Sequence, residues 1–385
     1  VIFIDYMSQN QPSVLSRVFI LAGRTGGPLT PLLAVSKNLS EVEIILLGVR
    51  GGVEEKFAEK MGYRLMFLPE TKLRLLSFKQ AKFRETLSHV WDFFQNIFKF
   101  IWALIVSFWL LWRYRPKLIL SAGSFLTVPV FWAAFIFKKL MILDVQLVMH
   151  QQDPEPGLSN KLTVKLADKL TCVFAQTKQH KDFSQAQIIP NPLDTEAFDQ
   201  ASVDLIESAD LQHFIRTAKL PKLLIFGGGT GSQIINRWVT DNLAKLTSKF
   251  SVIHFTGLLK VNHTEERRAV NYLATQGSLT DMPSILKSVD LVLCRSGLGS
   301  ITELSYLAKP AYLVPIKHSH QEPNAECVKD RFYILDEDKI DTWFNTISRT
   351  YPQFFQKLHR LSPDQIKIGL RNYYNQLNQL LDKKS

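Results

Sequence analysis

Cysteine is scarce in this chain: Cys172, Cys294 and Cys327 are the only three in 385 residues. They stand far apart, at neither disulfide-framework nor metal-ligand spacing. That excludes a stapled secreted scaffold and a zinc module, and it leads us to expect a reducing cytosol. His318 and His320 flank Ser319 with no third ligand at metal spacing, so no metal is expected there. The N-terminal stretch lacks the basic, apolar and small-residue succession of a secretory leader. Residue 1 is Val and the first strand opens near Arg17, so little of the fold is expected to be missing. Negative charge is also short: 35 Asp and Glu stand against 46 Lys and Arg, a net charge of +11. No nucleic-acid motif accompanies that excess, which leaves an anionic membrane or an anionic substrate as the expected partner.

What is present is a twofold α/β pattern, predicting a doubly wound parallel sheet in each half. The first half opens with the apolar strand RVFILAG, then a glycine turn and helix, GRTGGPLTPLLAVSKNL. EIILLG, KLILSAG, LVMHQQD, KLTCVFAQ and QIIPNP supply further strands. The second half repeats the scheme from KLLIFGGGTGSQIINRW, with SVIHFTG next and a helix in SLTDMPSILKSVD. Pro190-Asn191-Pro192 marks the expected hinge. The predicted domains are 1–192 and 193–364, with 193–220 a mobile or partly helical connection and a terminal helix, 365–385, returning to the first domain.

Residues 72–117 form the most unusual stretch. A basic segment, KLRLLSFKQAKFR, precedes VWDFFQNIFKFIWALIVSFWLLWRYRPK. Residues 100–112 are apolar except for Ser107, and Trp102, Trp109 and Trp112 lie among them. Extended back to Val90 the run reaches bilayer-spanning length, about 20 residues, but Asp92, Gln95, Asn96 and Lys99 interrupt it. Aromatics with basic flanks suit a helix lying in the headgroup interface; a buried core helix and a true span are the alternatives.

The richest chemistry lies at 290–325, DLVLCRSGLGSITELSYLAKPAYLVPIKHSHQEPNA. It reads as strand, small-residue turn, helix, strand and polar loop. The free N–H groups and positive dipole end of a helix starting at the SGLGS turn suit an anionic ligand. Glu303, placed in that helix's first turn, could accept hydrogen bonds from the vicinal hydroxyls of a ribose; a solvated glutamate is the plain alternative. Each half also carries a glycine loop after its first strand, GRTGG at 23–27 and GGGTG at 227–231, where backbone N–H groups can approach phosphate or sugar oxygens. Neither is a Walker loop. No acidic residue ends the strand after the second loop, which argues against a dinucleotide site. Asp336-Glu337-Asp338 resembles an acidic metal–sugar motif but lies beyond the nucleotide motifs, so a solvated acidic turn is the expectation. Arg295 could contact a phosphate or sugar, or pin its strand end by an ion pair.

Taken in order, Thr25-Gly26-Gly27 then Pro31, Ser121 to Phe125, His150-Gln151-Gln152-Asp153 then Asn160, Asn191-Pro192, Gly227 to Asn236, Cys294 to Glu303, and His320-Gln321 then Asn324-Ala325 form a pattern. It resembles the MurG family of peptidoglycan N-acetylglucosaminyltransferases across roughly 17–330. The resemblance implies a GT-B fold of two Rossmann-like domains flanking a cleft. It implies inverting transfer of GlcNAc from UDP-GlcNAc to a polyprenyl-diphosphate-linked acceptor, with no cofactor or metal required. It also implies a peripheral position on the anionic cytoplasmic face of the cell membrane, through Trp102, Trp109 and Trp112.

By the same resemblance, the backbone at Leu279 reads uracil and Glu303 takes the ribose. The N–H groups of Leu298, Gly299, Ser300, Ile301 and Thr302 meet the diphosphate, with Gly229 nearby, and His320 and Gln321 contact the sugar. Arg295, Asp153 and Thr25-Gly26-Gly27 join the donor set; Gly26, Gly27, Phe125 and Asn160 face the acceptor. The chain departs from the family at Pro28, where a loop His is usual, and at Gln151, Asp153, Phe125, Gly229 and Asp194. An inverting transfer needs a proton acceptor; His150, Asp153 and Glu155 are the candidates left. A related lipid-acceptor transferase and a paralogue that binds without turnover are the competing expectations.

Overall fold

A computed structural model of the chain describes residues 3–4, 16–21, 23, 26–70, 83–229, 231–257, 268–276, 281–356 and 363–382. It divides into two compact units, 1–192 with 370–385 and 193–369.

The first unit holds strands β1 (Phe3–Ile4), β2 (Ser16–Leu21), β3 (Val42–Gly48), β4 (Arg64–Phe67), β5 (Leu118–Ser121), β6 (Gln146–Gln151), β7 (Lys169–Cys172) and β8 (Gln187–Ile188). They form one sheet in the order β1-β4-β3-β2-β5-β6-β7-β8, parallel except for β1. The order reverses between β2 and β5, so the crevice outside their carboxyl ends is the topological switch point. Helices α1 (Gly26–Ser36), α2 (Glu54–Met61), α3 (Phe83–Tyr114), α4 (Thr127–Lys139) and α5 (Leu158–Thr163) connect the strands. Strands such as VFIL at 18–21 are apolar at every position because both faces are covered.

Helix α3 answers the question that its sequence left open by dividing its faces. Ala103, Val106, Leu110 and Leu111 are buried in the core, and Phe108 meets Phe137 of α4 at 5.1 Å between ring centroids. Ser107 is buried without cost because its hydroxyl donates to the Ala103 carbonyl at 2.7 Å. On the other face Phe98, Ile101, Trp102, Ile105, Trp109 and Trp112 are exposed, Trp112 at 59%. By length and composition Gln95–Tyr114 is apolar enough to cross a membrane.

The second unit carries β9 (Lys222–Phe226), β10 (Ser251–Phe255), β11 (Arg268–Ala269), β12 (Tyr272–Thr275), β13 (Leu291–Arg295), β14 (Ala311–Val314) and β15 (Tyr333–Ile334). The order is β11-β12-β10-β9-β13-β14-β15, with β11 alone antiparallel. Here the switch point lies between β9 and β13. The helices are α6 (Thr195–Asp199), α7 (Ala209–Thr217), α8 (Gln233–Asp241), α9 (Leu243–Thr247), α10 (Met282–Ser288), α11 (Leu298–Tyr306), α12 (Gln321–Cys327), α13 (Trp343–Thr350) and α14 (Pro363–Asp382). The connection at 193–220 is thus largely helical. Asp194, one of the departures from the resembled pattern, caps α6 by accepting from the Ala197 N–H at 3.3 Å. Late in α14, Tyr373 is buried and Asn378 exchanges hydrogen bonds with the backbone of Ser40 and Asn38, so this end belongs to the first unit.

Candidate functional site

In the second unit three loops meet at the carboxyl ends of β9, β13 and β14. The glycine loop after β9 turns through Gly228 and Gly231, at φ +89° and +86°, a backbone region that glycine alone adopts freely. At Gly231 a side chain would also strike the Thr256 carbonyl oxygen, 2.3 Å from a built Cβ. Gly229 faces open space. Ser232 closes the loop and caps α8, accepting from the Ile235 N–H at 3.4 Å.

Arg295 ends β13 and is almost fully buried. Its guanidinium donates to Ser232 Oγ at 2.8 Å, to the Val314 carbonyl at 3.2 Å and to the Glu337 carboxylate. The side chain is therefore committed to joining the glycine loop to β14 and to the acidic turn. Its Nε is buried and has no hydrogen-bond partner among the described residues. Next to it, Ser296 donates from Oγ to the Gln321 carbonyl at 2.9 Å, tying the SGLG turn to the start of α12.

Helix α11 begins at Leu298 with Gly297 as its cap, and no side chain satisfies its first amides. The Ile301 N–H already donates to the Gly297 carbonyl at 3.0 Å. The free set is therefore Leu298, Gly299 and Ser300, narrower than the expected run to Thr302. A Cβ built on Gly297 or Gly299 meets nothing within 4 Å, so the amides open outward. Glu303 is the sixth residue of α11, in its second turn rather than its first. Its carboxylate has no partner among the described residues. The residue surface is half-buried, but desolvation of the carboxyl pushes it up to about 7. A half-buried carboxylate without donors is a group that bound hydroxyls would relieve.

His320 is exposed and precedes α12, while Gln321 Oε1 accepts from the Ile316 N–H at 3.3 Å, leaving its amide nitrogen available. Below the glycine loop His254 is buried, with Nε2 on Asn236 Oδ1 and Nδ1 on Tyr272 Oη, both at 3.0 Å. Burial lowers its pKa to about 4, so it is a neutral strut. Leu279 and Thr25 lie outside the described residues.

In the first unit the loops after β2 and β5 are in close contact: a Cβ on Gly23 would sit 2.4 Å from that of Ser124. Gly26 and Gly27 open α1 and face free space. Pro28 fits the first turn of α1, where no intrahelical N–H bond is lost. Pro31, deeper in the helix, cannot reach back to the Gly27 carbonyl; Gln152 Nε2 donates to that oxygen instead, at 3.2 Å. The β6 loop is thereby fastened to the glycine turn.

His150 is corrected as a base. It is 1% exposed, with Nε2 on Asn191 Oδ1 at 3.1 Å and Nδ1 on Thr171 Oγ1 at 2.9 Å. Burial lowers it to about 4 despite the opposing Asn191 bond, and neither ring nitrogen is left for a substrate. Asp153 is half-buried, and its backbone carbonyl is held by Gln151 Nε2 at 2.7 Å and Thr177 Oγ1 at 3.3 Å. Glu155 is exposed. Asn160 is buried against Gly123 and donates to Gln151 Oε1 at 2.5 Å, while its own Oδ1 has no hydrogen-bond partner. Phe125 is 36% exposed at the approach to α4. Among the described residues no cluster of three or more His, Cys, Asp or Glu could hold a metal.

Residues 18–172 match the glycosyltransferase family 28 N-terminal domain and residues 222–360 the family 28 C-terminal domain, together about three quarters of the sequence. The chain belongs to glycosyltransferase family 28. It is 27% identical over 368 residues to the UDP-N-acetylglucosamine–N-acetylmuramyl-(pentapeptide) pyrophosphoryl-undecaprenol N-acetylglucosamine transferase of Clostridium botulinum, covering 93% of this chain and 97% of that one. The Bacillus subtilis enzyme of the same name is 27% identical over 338 residues, covering 84% and 87%. The crystal structure of Acinetobacter baumannii MurG superposes with a TM-score of 0.64 at 18% identity, over 96% of this chain and all of that one. The fold is therefore GT-B, the protein a glycosyltransferase and its relationship to the MurG transferases a divergent one.

Proposed function

We propose that this family 28 transferase moves GlcNAc from UDP-GlcNAc to the C4 hydroxyl of the MurNAc unit on undecaprenyl diphosphate, with inversion at the anomeric carbon. The observation that carries this reading is the meeting of three donor-type loops at the β9/β13 switch point, drawn together through Arg295 and Ser296. Glu303 takes the ribose diol, because two hydroxyl donors relieve its unpartnered carboxylate. The amides of Leu298, Gly299 and Ser300, with the α11 dipole behind them, carry the charge of the leaving diphosphate without a metal. His320 and the amide nitrogen of Gln321 meet the sugar hydroxyls, with the loop at Gly229 alongside. The acceptor oxygen bonds to C1 as the C1–O bond to UDP breaks. Its proton goes to Asp153, the carboxylate whose backbone Gln151 and Thr177 hold. Gly26, Gly27, Phe125 and Asn160 face the acceptor.

The exposed face of α3 docks peripherally on the anionic cytoplasmic leaflet. Arg115 lies over the Trp112 ring at 5.4 Å and Lys139 over Phe135 at 5.6 Å, pairing cations with aromatics as headgroup-level anchors do. Pro28 in place of the loop histidine favours one second reading, a paralogue that holds nucleotide sugar without turnover.

Radiolabelled UDP-GlcNAc offered with a lipid I analogue, and in parallel with diacylglycerol, separates these readings. Label in the lipid I product supports the proposal. Label in diacylglycerol alone assigns a different acceptor, and UDP binding with no transfer to either supports the second reading.

A further inference from the structure

The acidic turn at 336–338 is only in part the solvated turn its sequence suggests, with the side chains of Asp336 and Asp338 exposed and that of Glu337 enclosed. Glu337 and Arg295 form a nearly buried ion pair, their side chains 11% and 9% exposed. Asp336 and Asp338 both engage Lys317, at 3.0 Å for Asp336, and Lys317 belongs to the loop that carries His320 and Gln321. The turn is fixed to the core from behind. The buried Trp343 donates its indole N–H to the Asp336 carbonyl at 2.8 Å, and Asp336 Oδ1 accepts from the Asp338 N–H at 3.1 Å.

The loop from 315 to 320 meets this turn through Lys317 and is also tied near its end by the Ser296 bond to the Gln321 carbonyl. Its backbone includes His318 at φ +55°, a left-handed conformation unusual for a residue with a Cβ. That turn is closed by local bonds: Ser319 Oγ to the Ile316 carbonyl at 2.6 Å, and the His318 N–H to the Glu322 carboxylate at 2.8 Å. Those bonds fix the loop's shape. The one described ion pair from the loop to a neighbouring segment is that of Lys317 with the acidic turn.

We propose that Asp336, Glu337 and Asp338, acting through Lys317 and Arg295, are positioning residues for the transferred sugar. They hold the His320–Gln321 loop and the end of the glycine loop in one frame, so that the sugar contacts are preformed before the donor arrives. The inference rests on the donor-site reading above, with the nucleotide held separately by α11. Sugar and nucleotide should therefore respond differently when the outer pairs are removed.

The test uses Asp336→Asn/Asp338→Asn in the full chain, since this outer half is exposed and both asparagines retain local capping ability. Calorimetry with UDP and with UDP-GlcNAc, and donor KM at low and high salt, give the readouts. The expected result is UDP affinity within twofold of the wild type, donor KM raised about five- to tenfold and kcat within threefold. The wild-type KM should climb toward the variant's as salt screens the Lys317 pairs, while the variant's stays level. Reversing the charges, Lys317→Asp with Asp336→Lys/Asp338→Lys, should restore part of the KM. An unchanged donor KM at both salt levels overturns the inference, as does UDP affinity falling in step with KM. A wild type that binds UDP-GlcNAc no more tightly than a non-nucleotide control overturns the donor-site reading and the inference together.

Discussion

The two sheets share a device and differ in what surrounds it. Each buries one histidine on the strand beside its switch point, His150 on β6 and His254 on β10, with an asparagine on Nε2 and a hydroxyl on Nδ1. Each histidine is neutral, and each braces a loop. In the second unit the surrounding groups remain open to a ligand: the Glu303 carboxylate, three helix amides and a glycine loop facing free space. In the first unit the chain departs from the resembled pattern at Pro28, Gln151 and Phe125. The local structure accommodates the first two. Pro28 suits its helix turn, and the Gln151 amide donates to the Asp153 carbonyl, which a carboxylate at 151 could not do. The difference teaches where the proposal is strongest: the second unit keeps groups open to a nucleotide sugar, while in the first unit the proposed proton acceptor falls to Asp153 because His150 is enclosed.

The largest expected effect separates those two functions. Asp153→Asn should lower kcat by about 10²–10⁴, the range for losing a general base, with UDP affinity unchanged. A variant that keeps its kcat would place the base elsewhere. Glu303→Ala should do the reverse, weakening UDP binding by about 1–3 kcal/mol while leaving first-unit contacts alone. Calorimetric affinity equal to wild type would remove Glu303 from the ribose. Smaller still, replacing Trp102, Trp109 and Trp112 with Ser should release the protein from anionic vesicles and leave UDP affinity intact, because all three side chains lie on the exposed face of α3. Flotation unchanged by the triple substitution would move the membrane contact off this helix, and a loss of UDP affinity would mean the substitutions disturb more than a surface.

Much of this was legible because the signals are local. The apolar strands ending in glycine or serine placed β2, β5, β9 and β13, and the SGLGS turn marked the start of α11. What escaped depends on partners distant in sequence. The two-residue edge strands β1 and β11 are too short to carry a pattern and owe their pairing to β4 and β12. His150 looked available because Thr171 and Asn191 lie 21 and 41 residues away. Glu337 looked solvated because Arg295 lies 42 residues before it. Gln152 stood in the His150–Asp153 block without a role of its own. The signal that could have found it is Pro31, which lies four residues after Gly27 and leaves that carbonyl needing a donor.

The most direct test of the donor site is UDP affinity measured from pH 5.5 to 8.5 for the wild type and for Glu303→Gln. Desolvation holds the free Glu303 carboxyl at about 7, and ribose hydroxyls favour its charged form. Binding must therefore expel a proton below that pH, so wild-type affinity should fall by about tenfold between pH 8 and pH 6. The Gln variant cannot lose that proton and reports only the titration of the ligand's own phosphate. The account predicts a wild-type curve that rises through pH 7 above the variant's own slope. Parallel curves would contradict it.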